Sequence, residues 1–262
     1  MMTKYTSSDL LNSNYVAHYT SFNKAVLILI NNKIKINCAG SVNDPYENCI
    51  DWFETDPSTN SEGFLEDEEL VRTQLKTQIK LFCTTKNDLS GRNTLSAIEL
   101  GMANPYFAIP NMWTHYGDNH RGVCLIFDKD LLSEALRHSK IQFIKFDVRY
   151  EKKVLHRTTD TRRETLKLLT SNFNELKVHV NSIVHNIFNQ KNECWAHEQE
   201  YRWLVFDKTN AALYIDYCTA LKGIILGSNF DFETGYDVIK KITSVPIYDL
   251  EYKQGRYNIN SG

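Results

Sequence analysis

The sequence lacks the short motifs that identify the commonest nucleotide-binding proteins and nucleophilic enzymes. It contains no GxxxxGK[ST] phosphate loop, no GxGxxG dinucleotide fingerprint and no GxSxG nucleophile turn. No two cysteines form a CxxC pair, and their spacing fits no zinc pattern. These absences argue against P-loop enzymes, Rossmann dehydrogenases, serine hydrolases of the elbow type and zinc-finger modules.

Long apolar runs and an excess of charge of one sign are also missing. The N-terminal stretch is polar, and no segment approaches the length needed to span a bilayer. We therefore predict a cytoplasmic protein with reduced thiols and no membrane partner. The net charge is -2, so the chain has no overall basic field for nucleic acid, although a local basic patch over residues 152–163 stays open.

The pattern of apolar residues predicts an α+β fold. The 262 residues are 42% hydrophobic and 24% charged, which is ordinary for a globular protein, and no repeat or linker divides them. We predict a single domain, 1–262, built on a mixed or mainly antiparallel sheet with flanking helices. Residues 85–121 are predicted to be mostly irregular, and a slip in the alternation at Phe143-Ile144 predicts a bulge. The predicted strands are 16–20, 33–36, 81–84, 122–127, 141–150, 201–206, 221–226 and 245–250. The predicted helices are 21–31, a helix ending near residue 80, 128–138, 161–190 and 231–241.

The most informative stretch reads from Trp195 to Phe206. If its strand begins a few residues before Tyr201, the two-residue period places Glu198, Glu200 and Arg202 on one face. Two carboxylates and a guanidinium are costly to bury without partners. The pattern therefore indicates either a structural ion-pair network or a functional site.

Three further polar segments are candidates for a site, and each has a plainer interpretation. The segment His18-Tyr19-Thr20 ends the first predicted strand, where a single histidine is more often just hydrogen-bonded. Residues 43–47 (Asn-Asp-Pro-Tyr-Glu) are typical of a turn. Residues 113–121 are unusually dense in aromatic side chains, histidine and arginine, which favours a site. Histidines and acidic residues in these segments are acceptable metal ligands, but no pair has a recognised spacing, so metal catalysis is the weaker interpretation.

Taken together, the segments resemble the bacterial family called domain of unknown function 2971. The resemblance covers about residues 15–250 and rests on five short motifs in one order. These motifs are His18-Tyr19-Thr20, Asn43-Asp44-Pro45-x-Glu47, Leu81-Phe82-Cys83, Trp113-x-His115-Tyr116 followed by the strand 122–127, and Glu198-x-Glu200-Tyr201-Arg202.

That family is similar, more remotely, to ADP-ribosyltransferases, which implies a split, mostly antiparallel sheet that grips NAD⁺ as co-substrate. The resemblance implies that His18 bonds a ribose, that Tyr116 or Tyr46 stacks on nicotinamide, and that Glu200 is the catalytic carboxylate, with Glu198 as the second. Tyr19 stands where many transferases carry glycine. The remaining residues that the resemblance implies for the NAD⁺ site are Tyr19, Thr20, Asn43, Trp113, Arg121 and Arg202, of which either arginine is a candidate for the pyrophosphate.

The chemistry fits these residue types. Cleavage of the nicotinamide–ribose bond develops positive charge on the ribose, and a fixed carboxylate stabilises that charge. The resemblance implies an ADP-ribosyltransferase acting on a macromolecule, RNA, DNA or protein, as a bacterial toxin or antiphage effector with a cognate antitoxin protein as a further partner. The alternatives are NAD⁺ hydrolysis, a non-catalytic nucleotide- or nucleic-acid-binding module and, less favoured, a metal-dependent nuclease.

Overall fold

The computed structural model describes residues 10–42, 44, 73, 76–87, 98, 103–152, 188–253 and 256–261. Most of the predicted helix over 161–190 and most of the turn-rich segment 40–64 lie outside these residues, as do Asn43 and Tyr46. At Gln190, the predicted end of that helix, the structure has a strand instead. Within the described part of the chain, no helix is both long and apolar enough to cross a membrane.

Strands form where the apolar pattern predicts them, and the predicted N-cap Ser21 precedes a helix. Asp128 and Asp231, predicted as the first residues of their helices, are N-caps whose side chains accept hydrogen bonds from the first turn. The strands are β1 (Tyr15–Thr20), β2 (Lys33–Cys38), β3 (Ile79–Thr85), β4 (Val123–Asp128), β5 (Phe143–Asp147), β6 (Arg149–Glu151), β7 (Gln190–Asn192), β8 (Glu200–Phe206), β9 (Leu213–Asp216), β10 (Leu221–Leu226), β11 (Ile247–Lys253) and β12 (Arg256–Ser261). The helices are α1 (Phe22–Asn31), α2 (Pro110–His115), α3 (Lys129–His138) and α4 (Phe232–Ile242), with short 3₁₀ helices over Ala39–Ser41 and Glu193–Glu198.

Ten strands form one large sheet in the order β12-β11-β10-β4-β1-β3-β2-β9, with β8 beside β3 and β5 beside β8. All described neighbours in it are antiparallel except β10 and β11. Those two are connected through α4, and such a crossover is what a parallel pair requires. The short strands β6 and β7 pair separately. The α+β class and the mixed, mainly antiparallel sheet are therefore confirmed.

Each face of the sheet carries its own hydrophobic cluster, because successive side chains of a strand point to opposite faces. Val16, Phe82 and Trp203 belong to the first cluster, which packs against α1, α3 and α4. Ala17 and Tyr19 belong to the second, which packs against α2 and the chain before it. The candidate site lies on the second face, apart from His18, which packs on Phe82 of the first.

Some details differ from the sequence-based predictions. The strand β3 begins at Ile79, so the preceding helix ends before Lys80. The pairing of β5 with β8 runs without a register shift from Phe143 to Asp147, so the predicted bulge is wrong. The segment expected to be irregular contains α2, which begins at Pro110, a favoured first helical residue. The strand β12 was not predicted, because its sequence is polar on the exposed edge of the sheet.

Candidate active site

The large sheet forks at one edge of β3, and a cavity of about 200 Å³ lies at the fork. On its other edge, β3 pairs with β8 along its whole length, from Ile79↔Phe206 to Thr85↔Glu200. On the forked edge it pairs with β2 at two residues and with β1 only through Ala17↔Thr85. The cavity lies between β1 and β3 and is lined by residues 17–19 of β1 and residues 81–85 of β3. The sheet is therefore split where β1 and β3 diverge, and we refer to these two strands as the branches of the fork.

Two carboxylates and two cations form a buried cluster on the wall of this cavity. Arg202 holds Glu200 in a bidentate pair, with Nε 2.9 Å from Oε1 and Nη2 2.8 Å from Oε2. Lys191 bridges the two glutamates, with its Nζ 2.7 Å from Glu198 Oε2 and 3.0 Å from Glu200 Oε2. All four side chains are at least nine-tenths buried. The cluster is electrically balanced, which is the condition for burying charge.

Local backbone geometry explains how the two glutamates meet. Arg202 pairs in register with Cys83 and Glu200 with Thr85, so both point to the second face of the sheet. Glu198 lies one turn earlier, at the end of the 3₁₀ helix, and Gln199 takes a left-handed conformation with φ of 47°. The strand does not begin before Glu200, so the predicted strand period does not place Glu198. The turn brings it to the same wall instead.

Lys191 is the principal site residue that sequence reasoning missed. It lies on β7 and pairs in register with Tyr150 of β6. The Tyr150 hydroxyl in turn accepts a hydrogen bond of 2.8 Å from the Glu200 backbone nitrogen. The stretch Gln190-Lys191-Asn192 is polar throughout, so nothing in the local pattern separates a buried lysine from a solvated one.

The surroundings of Glu200 determine its ionisation. Burial alone would raise the pKa of this carboxyl, but the positive charges of Arg202 and Lys191 outweigh burial and lower the pKa to about 2. The neighbouring Cys83 thiol has its pKa raised well above the ordinary value, by burial and then by the Glu200 charge. Cys83 is therefore a thiol at neutral pH and not a thiolate nucleophile.

The depressed pKa of Glu200 leads to a prediction for acid stability. Because the folded pKa lies below the ordinary 4.5, the pair stabilises the fold above pH 4.5 and loses that contribution as the pH falls toward 2. The difference in unfolding free energy between wild type and Glu200→Gln should therefore shrink over this window in urea titrations. A difference that stays constant from pH 6 to pH 2.5 would contradict the assignment.

Tyr116 connects the cluster to α2. Its hydroxyl donates a hydrogen bond of 2.6 Å to Glu198 Oε1, and burial, followed by the Glu198 charge, raises its pKa well above the ordinary value. The phenol therefore stays protonated as a donor. Tyr116 lines the cavity, and its hydroxyl contacts Glu198, one of the two carboxylates singled out in the sequence.

His18 occupies the fork itself. Its ring packs on Phe82, with centroids 4.9 Å apart, and Nδ1 lies 3.2 Å from the Cys83 carbonyl oxygen of β3. Because only an N–H can bond to a carbonyl, Nδ1 carries the proton and Nε2 remains an acceptor. Burial lowers the pKa of this histidine, so the ring is neutral at neutral pH.

Four other predicted residues have structural roles or lie elsewhere. Trp113 is fully buried and donates from Nε1 to the Phe107 carbonyl. The Tyr19 hydroxyl donates to the Tyr106 carbonyl, so this side chain borders the cavity but is already bonded. Thr20 is buried outside the cavity lining, and Arg121 forms an exposed pair with Asp118. Trp113, Thr20 and Arg121 are therefore not part of this site.

The aromatic, histidine and arginine residues of segment 113–121 mostly serve to form a tight loop. Asp118, Asn119 and His120 take consecutive left-handed conformations, and the Gly122 nitrogen closes the loop on the Gly117 carbonyl. His120 then stacks 6.2 Å from the Trp113 ring. Most of the aromatic density belongs to this tight loop.

Three rings outside the cavity lining cluster near Lys191, the cation that bridges the two carboxylates. Trp195 is 6.5 Å from His115 and 6.3 Å from His197, measured between centroids, and Lys191 Nζ lies 5.5 Å from the centre of the Trp195 ring. We refer to Trp195, His115 and His197 as the aromatic rim. No group of three or more metal-ligating side chains occurs within the described ranges.

Comparison with models of known protein families gives one match. Residues 112–203 match the model of a family described as "Protein of unknown function (DUF2971)". The chain resembles this family. The matched region includes Tyr116 and the buried cluster of Lys191, Glu198, Glu200 and Arg202, but not His18. The predicted resemblance is confirmed.

The other comparisons are sparse. No curated protein matches the chain. Among solved structures, one similar chain is "Thermus sp. 2.9 DarT in complex with ADP-ribosylated ssDNA", at 10% sequence identity and a TM-score of 0.31, with 93% of this chain and 94% of that chain covered.

Proposed function

We propose that this protein is an ADP-ribosyltransferase that uses NAD⁺ as co-substrate. The observation that carries the proposal is the cavity at the forked sheet, which is lined both by His18 of β1 and by the two carboxylates held beside β3. The cavity thus combines a neutral hydrogen-bonding ring with fixed carboxylates, and a carboxylate is the group that stabilises positive charge developing on a ribose.

In the proposed reaction, the bond between nicotinamide and ribose C1′ breaks and its electron pair leaves with nicotinamide. The ribose acquires oxocarbenium character, which a nearby carboxylate stabilises. The acceptor nucleophile then bonds to C1′, and its proton passes to a carboxylate acting as general base. If water is the acceptor, the product is free ADP-ribose.

We propose that Glu198 is the carboxylate that meets the ribose. Its Oε1 accepts a hydrogen bond from the neutral Tyr116 hydroxyl, and the second lone pair of this oxygen can accept one from a substrate hydroxyl. Both oxygens of Glu200 are held by Arg202, and one by Lys191 as well. Glu200 therefore keeps Lys191 and Glu198 in place, which exchanges the roles that the sequence predicted for the two glutamates.

His18 and Tyr116 complete the proposed site. The acceptor nitrogen Nε2 of His18 can take a hydrogen bond from a ribose hydroxyl within the fork. Tyr116 presents its ring to the cavity while its hydroxyl orients Glu198. A nicotinamide ring against Tyr116 would lie next to the reacting bond.

Removal of the Tyr116 hydroxyl should weaken catalysis without removing the carboxylate. We expect Tyr116→Phe to lower kcat/KM for nicotinamide release about tenfold, because a hydrogen bond to a charged group contributes about 1.5–3 kcal/mol. The matched control is Tyr201→Phe, on the opposite face of β8, which should retain full activity. Equal losses in the two variants would contradict a positioning role for the Tyr116 hydroxyl.

The proposal also specifies the class of molecule that accepts the ADP-ribose. The aromatic rim adjoins the carboxylates, and rings of this kind stack on unpaired bases, so we propose a single-stranded nucleic acid as acceptor. The toxin or antiphage role and the cognate antitoxin remain predictions of the family resemblance.

The test is transfer of label from NAD⁺ carrying ³²P in its adenylate phosphate to separate pools of RNA, single-stranded DNA and protein. Labelled nucleic acid supports the full proposal, and labelled protein supports the transferase with a different acceptor. Free ADP-ribose as the sole product indicates a glycohydrolase. Intact NAD⁺ with every pool contradicts the proposal.

A further inference from the structure

The cavity has an uneven charge distribution. Of its described lining residues, three are cations (Lys35, Lys191 and Arg202) and two are carboxylates (Glu198 and Glu200). Lys191 and Arg202 are neutralised by the glutamates at 2.7–3.0 Å. The described part of the lining therefore has one positive charge in excess, and that charge belongs to Lys35.

Lys35 is available to a ligand. It lies on β2 between Ile34 and Ile36, whose burial on the first face turns Lys35 outward to the second. Within the described part of the chain, Lys35 makes no ion pair, and it is an exposed residue of the cavity lining. A lone ammonium beside a concave surface is a binding group for an anion.

The size of the cavity indicates where such an anion would lie. Its volume of about 200 Å³ is below the roughly 300–1,000 Å³ of typical ligand pockets. A dinucleotide can therefore place only one end inside. With the nicotinamide riboside end against Glu198 and His18, the phosphates extend toward solvent, and Lys35 and Asn37 are exposed residues of the lining on that route.

An exposed aromatic ring continues the same surface. Tyr214 of β9 pairs directly with Lys35 in register, so both side chains project from the second face with Cβ atoms about 4.5–5.5 Å apart. The Tyr214 side chain is 58% exposed. A cation and an open ring side by side match a phosphate followed by a planar base.

We propose that Lys35 and Tyr214 form a subsite for the ADP half of the dinucleotide, in which Lys35 binds the pyrophosphate and Tyr214 stacks on the adenine. The ligand identity rests on the proposed function, since the charge and the ring alone specify only a nucleoside diphosphate. The subsite takes the role that the family resemblance implied for Arg121 or Arg202. Arg121 lies outside the cavity, and Arg202 is already paired with Glu200.

The test measures the binding of ADP by titration calorimetry and the KM for NAD⁺ in nicotinamide release. Lys35→Ala should weaken ADP binding and raise the KM for NAD⁺ about tenfold, with kcat almost unchanged, because it removes a charge-assisted contact. Tyr214→Ala should weaken ADP binding about fivefold, and Tyr214→Phe should retain it. The matched control is Lys33→Ala, on the same strand and face but opposite Asp216 and outside the cavity lining, which should change neither value more than twofold.

The outcomes separate this subsite from the catalytic proposal. If the wild type binds ADP in a manner that needs Lys35 but never releases nicotinamide, the subsite stands and the transferase fails. If the wild type releases nicotinamide and Lys35→Ala leaves both the KM and ADP binding unchanged, the subsite is overturned and the transferase stands. Equal effects of Lys33→Ala and Lys35→Ala, or no ADP binding by the wild type, also overturn the subsite.

Discussion

Glu198→Gln is expected to lower nicotinamide release by about a hundredfold or more while leaving the protein folded. The amide keeps the size of the carboxylate and an oxygen for the Tyr116 hydroxyl, but it cannot stabilise positive charge on the ribose. Removal of one preorganised electrostatic group costs about a hundred- to a thousandfold in rate. The measurement is kcat/KM for nicotinamide release at fixed NAD⁺ and acceptor, together with the urea midpoint of each variant.

Two further substitutions test whether the loss of activity is specific to Glu198. Glu193→Gln changes an exposed glutamate at the other end of the same 3₁₀ helix and should keep wild-type activity. Glu200→Gln should reduce both activity and stability, because it leaves Arg202 buried without its anion. If Glu200→Gln abolishes activity at unchanged stability while Glu198→Gln remains active, Glu200 is the carboxylate that meets the ribose.

The largest expected effect on stability is that of Arg202→Met. Arg202 is fully buried, and besides Glu200 its Nη1 donates to the Phe188 carbonyl at 2.8 Å. Loss of the guanidinium leaves a buried carboxylate with only Lys191, and breaking a buried pair from one side costs about 3–5 kcal/mol. Urea unfolding at pH 7 measures the loss of unfolding free energy directly.

The chain offers a matched surface pair as a control. Arg121 and Asp118 lie 3.2 Å apart, but both are exposed, so Arg121→Met should cost less than about 1 kcal/mol. The double variant Arg202→Met/Glu200→Gln should lose less than the sum of the single losses, because the uncompensated charge is removed along with its partner. Additive losses, or equal losses at Arg121 and Arg202, would show that the buried cluster does not act as a unit.

Local pattern predicted most of the fold. Strands such as β2 alternate strictly between exposed lysines and buried isoleucines, and the caps Asp128 and Asp231 bond the first backbone nitrogens of α3 and α4 as their side chains predict. Those signals lie within a few residues of the elements they specify. The pairing order of the strands, including the fork at β3, depends on contacts between distant segments and could not be predicted in that way.

The candidate site was likewise predicted only where it depends on local sequence pattern. Glu200 and Arg202 share a face because a strand period requires it, and the sequence predicted this correctly. Lys191 reaches them only because β7 and the 3₁₀ helix fold back on β8, and no local pattern reports this. Arg121 and Trp113 were assigned to the site for their residue types, but a tight left-handed turn and core packing explain them.

The most direct test of the central claim is chromatographic measurement of nicotinamide released from NAD⁺ by purified wild-type protein, beside Glu198→Gln, with and without single-stranded RNA and DNA. We predict release by the wild type, faster with one nucleic acid, and about a hundredfold less release by the variant. A wild type that releases no nicotinamide under any condition, and whose melting temperature NAD⁺ does not raise, would contradict the assignment of this cavity to NAD⁺.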